Sequence, residues 1–192
     1  VPWTNLSQST ADGQPAALTV SSIMEAEQVA SHMLDGFEDH TRGFLQVQQG
    51  CDHRCTFCII PYGRGDSKSL SFHEIVERTE NILQRGYSEI IFTGVDLTSY
   101  GHDLPGKPKL GNIIKRLLTV QPKLKRLRLS SIDPAEIDSD LLELFCYEKR
   151  LLPHVHLSLQ SGDNLILKRM KRRHDRNQVI DLCKKVKSIR PE

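Results

Sequence analysis

From residue 43 onward the chain repeats one pattern four times. A short apolar run of strand length leads into a polar cluster, and a longer stretch with apolar residues at helical spacing follows. Residues 43–48, 88–93, 125–131 and 154–160 read as the strands. Ser71-Phe72-His73-Glu74 matches a capping box, so the first helix starts there and buries Phe72, Ile75, Val76, Ile82 and Leu83 before Gly86 stops it. Residues 111–120 carry Ile113, Ile114, Leu117 and Leu118 at helical spacing. Asp133-Pro134-Ala135-Glu136 reads as a helix start, with an N-cap, a proline in the first turn and an acid at the positive helix end. A last helix is expected over 175–189, burying Val179, Ile180, Leu182, Val186 and Ile189. Such alternation implies a parallel sheet with right-handed crossovers. The predicted fold class is α/β, a partial parallel (β/α) barrel of about four units, because four units leave an open edge.

Residues 1–20 are rich in Ser, Thr, Gln, Pro and Gly and read as linker. Residues 22–39 predict a short helix with Ile23, Ala26, Val29, Ala30, Met33, Leu34 and Phe37 on one stripe. The expected organisation is therefore linker and helix over 1–43 and the α/β domain over 44–192.

Parallel α/β barrels place their chemistry at the C-terminal ends of the strands. Polar clusters occupy all four of those ends here: residues 50–58, Thr93-Gly94-Val95-Asp96, Ser130-Ser131-Ile132-Asp133 and Gln160-Ser161-Gly162-Asp163. Four of four favour one site along one rim.

The first of these clusters holds three of the five cysteines, Cys51, Cys55 and Cys58. An odd total argues against a closed disulfide framework. Cys146 and Cys183 fall on apolar helix positions and are expected as small core residues. Three thiols in a Gly-led polar loop are poor core material and good soft ligands. An iron–sulfur cluster fits the spacing best and leaves one iron without a protein ligand. Zinc, with His53 as a strained fourth ligand, and a metal-free redox thiol set remain as alternatives.

The C-x3-C-x2-C loop directly after the first strand resembles the radical S-adenosylmethionine (SAM) enzymes. Residues 49–65 look like the methylthiotransferase version of that loop, and Leu157-Ser158-Leu159-Gln160-Ser161-Gly162 and residues 167–173 look like later blocks of the same family. Thr93-Gly94-Val95-Asp96-Leu97-Thr98-Ser99-Tyr100-Gly101 most resembles the branch acting on N6-threonylcarbamoyladenosine in tRNA. The relatives acting on isopentenyladenosine or on a ribosomal protein differ in that stretch.

The resemblance implies a [4Fe–4S] cluster on Cys51, Cys55 and Cys58, with SAM chelating the open iron. Reductive cleavage of SAM gives a 5′-deoxyadenosyl radical, a hydrogen leaves C2 of the adenine, and a methylthio group is installed. It also implies that Phe57 packs near the SAM adenine and that Thr93, Gly94 and Val95 approach the methionine group. Ser131, Gln160 and Arg173 are weaker candidates for SAM contacts. Ser131 and Gln160 also fit plain strand-end turns, and Arg173 also fits a phosphate contact or a solvated face.

Full-length family members carry an N-terminal domain with a second cluster and a C-terminal RNA-binding barrel. About 50 residues precede Cys51 and none is Cys, so the expectation is a fragment incomplete for full turnover. The implied partners are the tRNA anticodon loop, an electron donor such as flavodoxin or ferredoxin, and a sulfur source.

Lys168, Arg169, Lys171, Arg172, Arg173 and His174 form the densest basic run, with Lys168, Arg169, Lys171 and Arg172 as the RNA-binding candidates. Lys123, Lys125, Arg126 and Arg128 form a second run. Both equally fit a solvated surface. A balance of 26 cationic against 24 anionic residues excludes a strongly basic arm or an acidic tail. No run of about 18 apolar residues is present, so no membrane span is expected. The start, Val1-Pro2-Trp3-Thr4, is neither a signal peptide nor an initiator Met, and the expected location is cytoplasmic. A zinc-stabilised nucleic-acid-binding module is the non-enzymatic alternative.

Overall fold

A computed structural model describes residues 41–191; the expected linker over 1–20 and helix over 22–39 lie outside the described residues. In chain order the elements are β1 (Arg42–Gln46), β2 (Gln48–Gln49), α1 (Ile60–Arg64), β3 (Lys68–Ser69), α2 (Phe72–Gln84) and β4 (Glu89–Thr93). A 3-10 turn at Leu97–Ser99 follows, then α3 (Leu110–Val120), β5 (Arg126–Leu129), β6 (Ser131–Ile132), α4 (Ser139–Tyr147), β7 (His156–Leu157), α5 (Asn164–Arg169) and α6 (Arg176–Ile189).

β1, β4 and β5 form a parallel sheet in that order, with Phe44 opposite Ile91 and Ile91 opposite Arg128. β6 follows β5 after one residue and pairs in parallel with β7. Strand direction is therefore shared across four positions, as the alternation predicts. One strand face carries Leu45, Ile90, Phe92, Leu127 and Leu129, which are buried in one core with Ile75, Ile113, Ile114 and Leu117 from the helices. This is the face a βαβ crossover covers.

Helix starts follow local chemistry. Ser71 and Glu74 form the expected capping box, and Asp175 with Gln178 forms a second at α6.

Several expectations are corrected. Asp133-Pro134-Ala135-Glu136 is a turn and not a helix start: Asp133 accepts from the Ala135 amide as a cap would, but Arg172 holds its other oxygen in the cavity wall and the turn is not continued as helix. Asp138 caps α4 instead, accepting from the Leu141 amide at 2.9 Å. The fourth strand is split. Leu152 donates to the Leu127 carbonyl at 2.9 Å, Pro153 interrupts the ladder, and pairing resumes at His156. The short helices α1 and α5 were not expected. Cys146 and Cys183 are exposed and not core residues. α6 buries Val179 alone, while Ile180 is exposed and Leu182, Val186 and Ile189 are half-buried. In α2 the buried pair is Ile75 and Thr79, with Phe72, Val76, Ile82 and Leu83 half-buried against the core.

Candidate metal centre

The cysteine loop is shaped by the turn that follows β2. Gly50 has a left-handed φ of 70°, and a Cβ there would collide with the Asp66 carbonyl oxygen. The Cys51 amide donates to the Gly65 carbonyl at 3.1 Å, and the Ser67 amide donates to Asp52 at 2.8 Å. Arg54 pairs with Asp66 at 2.8 Å and donates to the Cys51 carbonyl at 3.1 Å.

Gln48 joins this loop to the end of β4. It is fully buried. Its amide nitrogen donates to the Gly50 carbonyl at 2.8 Å and the Ser67 hydroxyl at 2.9 Å, and its oxygen accepts from the Asp96 amide at 2.9 Å. Gly94 is packed against the same group: a Cβ there would lie 2.8 Å from the Leu97 side chain and 2.9 Å from the Gln48 oxygen. The absent side chain at 94 thus serves contacts within the protein.

A cavity of about 190 Å³ opens at the strand ends. Cys51, Cys55 and Cys58 line it from the first rim segment, with Phe57 beside them. Val95 and Asp96 line it from the second, Ser131 and Asp133 from the third, and Ser158 and Gln160 from the fourth. Four segments distant in sequence meet at one site. Gln160 holds a left-handed φ of 69°, a strained state of the kind that clusters at functional sites.

Two ion-pair systems frame the cavity. His53 Nε2 lies 2.8 Å from Asp96 Oδ2 and 3.5 Å from Glu136 Oε2. These two carboxylates push the His53 pKa up to about 9 against the opposing effect of burial. Burial pushes Asp96 up, but His53 and the Ser99 and Thr98 hydroxyls outweigh it and hold the carboxyl below its usual range. Arg173 bonds Glu136 and touches His53, so this SAM candidate stands on the rim of the network and not among the cavity-lining residues.

In the second system Arg172 donates to Asp133 Oδ2 at 2.7 Å and to the Ser158 carbonyl at 2.8 Å, and reaches Cys55 Sγ at 3.7 Å. Its side chain is 7% exposed. Of the basic run, Arg172 therefore turns inward to the cavity, whereas Lys168, Arg169 and Lys171 are exposed around the end of α5. That turn is tied to the cysteine loop: the Thr56 amide donates to the Met170 carbonyl and its hydroxyl to the Arg169 carbonyl. Of the second basic run, Arg126 pairs with Glu89 at the far end of the sheet, and Arg128, one row closer to the cysteine loop, bonds the same carboxylate.

The donor set can be tested against the candidate metals. Three thiolates on one zinc would stand about 3.8 Å apart, from Zn–S bonds of about 2.3 Å. The three sulfurs here do not converge so. Among the described residues, the ligand atoms that all lie within 4.8 Å of one another belong to Cys51, His53 and Asp96. Two of that trio, His53 and Asp96, are already engaged with each other as an ion pair. Thiols spread around a common cavity fit a multi-iron cluster, whose irons each take one ligand. Burial pushes the Cys51 thiol up to about 11, and a bound metal would displace that proton. Arg172 Nε is buried without a partner on the cavity wall, a donor suited to the carboxylate that SAM carries.

The Radical SAM superfamily model matches residues 45–191. The chain belongs to the radical SAM superfamily.

This radical SAM chain is 53% identical over 175 residues to the threonylcarbamoyladenosine tRNA methylthiotransferase MtaB of Rickettsia prowazekii, covering 91% of this chain and 42% of that protein. The same-named protein of Bacillus subtilis is 34% identical over 172 residues, 90% of this chain and 38% of the relative. The tRNA-2-methylthio-N(6)-dimethylallyladenosine synthase of Orientia tsutsugamushi is 37% identical over 152 residues, 78% of this chain and 34% of the relative. The chain thus spans about two fifths of the length of these relatives. Among solved structures, the radical SAM methyltransferase TsrM of Kitasatospora setae, with cobalamin and a [4Fe–4S] cluster bound, superposes with a TM-score of 0.61. It shares 14% identity and matches 77% of this chain and 29% of its own, a likeness of fold.

For this radical SAM domain, Cys51, Cys55 and Cys58 are the residues that would hold the cluster. Together the cluster and SAM supply one-electron reductive chemistry; the chain's own groups bind, orient and shield them. The residues that sequence reasoning missed are buried polar groups. Gln48 sits in an alternating run that reads as solvent-facing. Asp133 and Glu136 read as helix-start residues, and Arg172 as an RNA-binding candidate and not as part of the cavity wall.

Proposed function

We propose that this chain is the radical SAM core of a tRNA methylthiotransferase that adds a methylthio group to C2 of N6-threonylcarbamoyladenosine at tRNA position 37. The observation that carries this reading is 53% identity over 175 residues to the Rickettsia prowazekii protein. Identity to the dimethylallyladenosine enzyme of Orientia tsutsugamushi is 37% over a shorter match. In this reading the radical SAM domain begins with β1 at Arg42, two residues ahead of the expected boundary at 44.

In this reading Phe57, Thr93, Gly94, Val95, Ser131 and Gln160 surround SAM, with Arg173 at the rim. Lys168, Arg169 and Lys171 contact RNA phosphate, with Arg172 behind them holding the cavity wall. Chemistry at an adenine C2 needs the base out of the stack, and an anticodon loop offers it single-stranded. An electron donor of the flavodoxin or ferredoxin type and a sulfur source complete the reaction in the cytoplasm. Among the described residues, no helix is long and apolar enough to cross a membrane.

The test is mass spectrometry of tRNA nucleosides from cells with and without the gene. Loss of the methylthio mark on threonylcarbamoyladenosine alone supports the reading. Its survival there, with loss on an isopentenylated adenosine, would overturn the branch.

A further inference from the structure

The three-stranded sheet has two unlike faces. Its helix-facing side is the apolar core; its other side is the inside of the partial barrel. Parallel register arranges that inner face in rows. Arg42, Glu89 and Arg126 share the lowest row, Phe44, Ile91 and Arg128 the middle row, and Gln46 and Thr93 the top row next to the cysteine loop.

Three guanidiniums on this face share one carboxylate. Arg42 Nε and Arg128 Nε reach Glu89 Oε1 at 3.1 and 3.0 Å, and Arg126 Nε reaches Oε2 at 3.0 Å. Glu89 is 6% exposed. Among the described residues, three positive charges against one negative leave a local excess of two. All three arginines bond through Nε. Among the described residues, the terminal nitrogens of Arg42 and Arg128 have no acceptor, and Arg126 offers one to the Ser88 hydroxyl at 3.4 Å. Arg128 is the most enclosed of the three. It stands one row, about 6.6 Å, below the level of Thr93. Higher on the same strand face, Ser130 has a buried hydroxyl with no partner.

We infer that Arg128, oriented by Glu89, is a specificity-determining residue that reads a carboxylate on the N6 substituent of the target adenine. This rests on the methylthiotransferase reading above. The threonylcarbamoyl group carries a carboxylate at neutral pH, whereas a dimethylallyl group is uncharged hydrocarbon. With the base at the strand ends, a substituent directed into the barrel reaches the middle row. There it meets a fixed guanidinium whose Nε is held by Glu89 and whose two terminal nitrogens form an end-on fork. A charge-assisted bond in such a shielded place is strong and directional. Glu89 serves twice: it relieves part of the repulsion among the three cations, and it aims Arg128.

The experiment uses the full 192-residue chain, reconstituted with iron, sulfide and SAM, and an anticodon stem–loop RNA. The RNA carries threonylcarbamoyladenosine as the free acid, its methyl ester, or dimethylallyladenosine, and dissociation constants are compared. In the wild type, esterification should weaken binding about tenfold, the scale of one charge-assisted pair. Arg128→Gln should bind acid and ester equally, and bind the ester as the wild type does, which also shows that the variant is folded. Arg128→Lys should keep part of the preference for the acid. Retention of the full preference in Arg128→Gln would overturn the role of Arg128 alone. A wild type indifferent to esterification would overturn carboxylate reading. A wild type that prefers the dimethylallyl RNA, or binds none of the three, would overturn the substrate reading and this inference with it.

Discussion

His53 and Asp96 meet at 2.8 Å, joining the cysteine loop to the end of β4 through a single ion pair. The Asp96 carboxylate also accepts from Ser99 at 2.6 Å and Thr98 at 2.9 Å, so one buried group orders two segments. Asp96→Ala takes the nearest acceptor from the enclosed His53 and from the Ser99 and Thr98 hydroxyls, with Glu136 still within reach of His53 and Ser99. Breaking a buried pair costs about 3–5 kcal/mol, and His53 is 15% exposed, so a loss of about 3 kcal/mol is expected. Urea unfolding of the iron-free protein measures it. A double-mutant cycle with His53→Ala should recover part of the loss as coupling.

Cys55→Ala should abolish stoichiometric iron and sulfide, since a cluster on two thiolates lacks a ligand. Cys183→Ala should keep both and change stability by less than about 0.5 kcal/mol, because that side chain is exposed. Anaerobic iron and sulfide analysis on both variants separates ligand from bystander. Loss of iron in Cys183→Ala would reassign the ligands.

Gly94→Ala should destabilise by about 1–3 kcal/mol through overpacking, as the new methyl presses on Leu97 and on the Gln48 oxygen. Because Gln48 also bonds the Gly50 carbonyl, the disturbance should reach the cysteine loop. Amide hydrogen exchange should speed at Asp96, whose N–H is bonded by the same oxygen. Unchanged exchange there would mean that the loop absorbs the methyl elsewhere.

Glu89 gives the fold a pH dependence. Burial pushes its pKa up, but Arg128, Arg126 and Arg42 outweigh burial and hold it below the usual carboxylate range. A depressed carboxylate stabilises the fold above its unfolded pKa, and the contribution is lost as pH falls through the folded value. Urea midpoints should therefore drop in the wild type below about pH 4.5. Glu89→Gln should start lower at pH 7 and fall less over that range.

The exposed cations after α5 predict a graded effect on RNA. Removing Lys168, Arg169 or Lys171 should weaken tRNA binding uniformly across sequences and reduce the salt slope by about one per lost phosphate contact. Filter binding at several salt concentrations measures it. Arg172→Ala should instead disturb the cavity, because it holds Asp133 and the Ser158 carbonyl.

Periodicity made the frame legible. Apolar runs at 88–93 and 125–131 give central strands because burial on the helix side leaves few other choices. Capping chemistry located α2 through Ser71 and Glu74. What failed has physical reasons. Asp133 looks like a helix cap in isolation, yet a guanidinium from far downstream claims its carboxylate. Helical spacing at Leu182, Val186 and Ile189 signals an apolar face without saying how deeply it packs. The three cysteines stood out because clustered thiols suit little besides metal. Gln48 did not, since a glutamine in a strand looks solvent-facing until its partners are placed.

The bond between Arg172 and Cys55 spans 117 residues of sequence. Contacts of such separation form late, because a long loop must close before they stabilise anything. Synthesis proceeds from the N-terminus, so the cysteine loop leaves the ribosome well before the segment that completes its wall. For that interval the thiols stand in an unfinished, more open pocket. Completion of the centre therefore waits on synthesis past residue 172, when the wall bearing Arg172 can close against the cysteine loop.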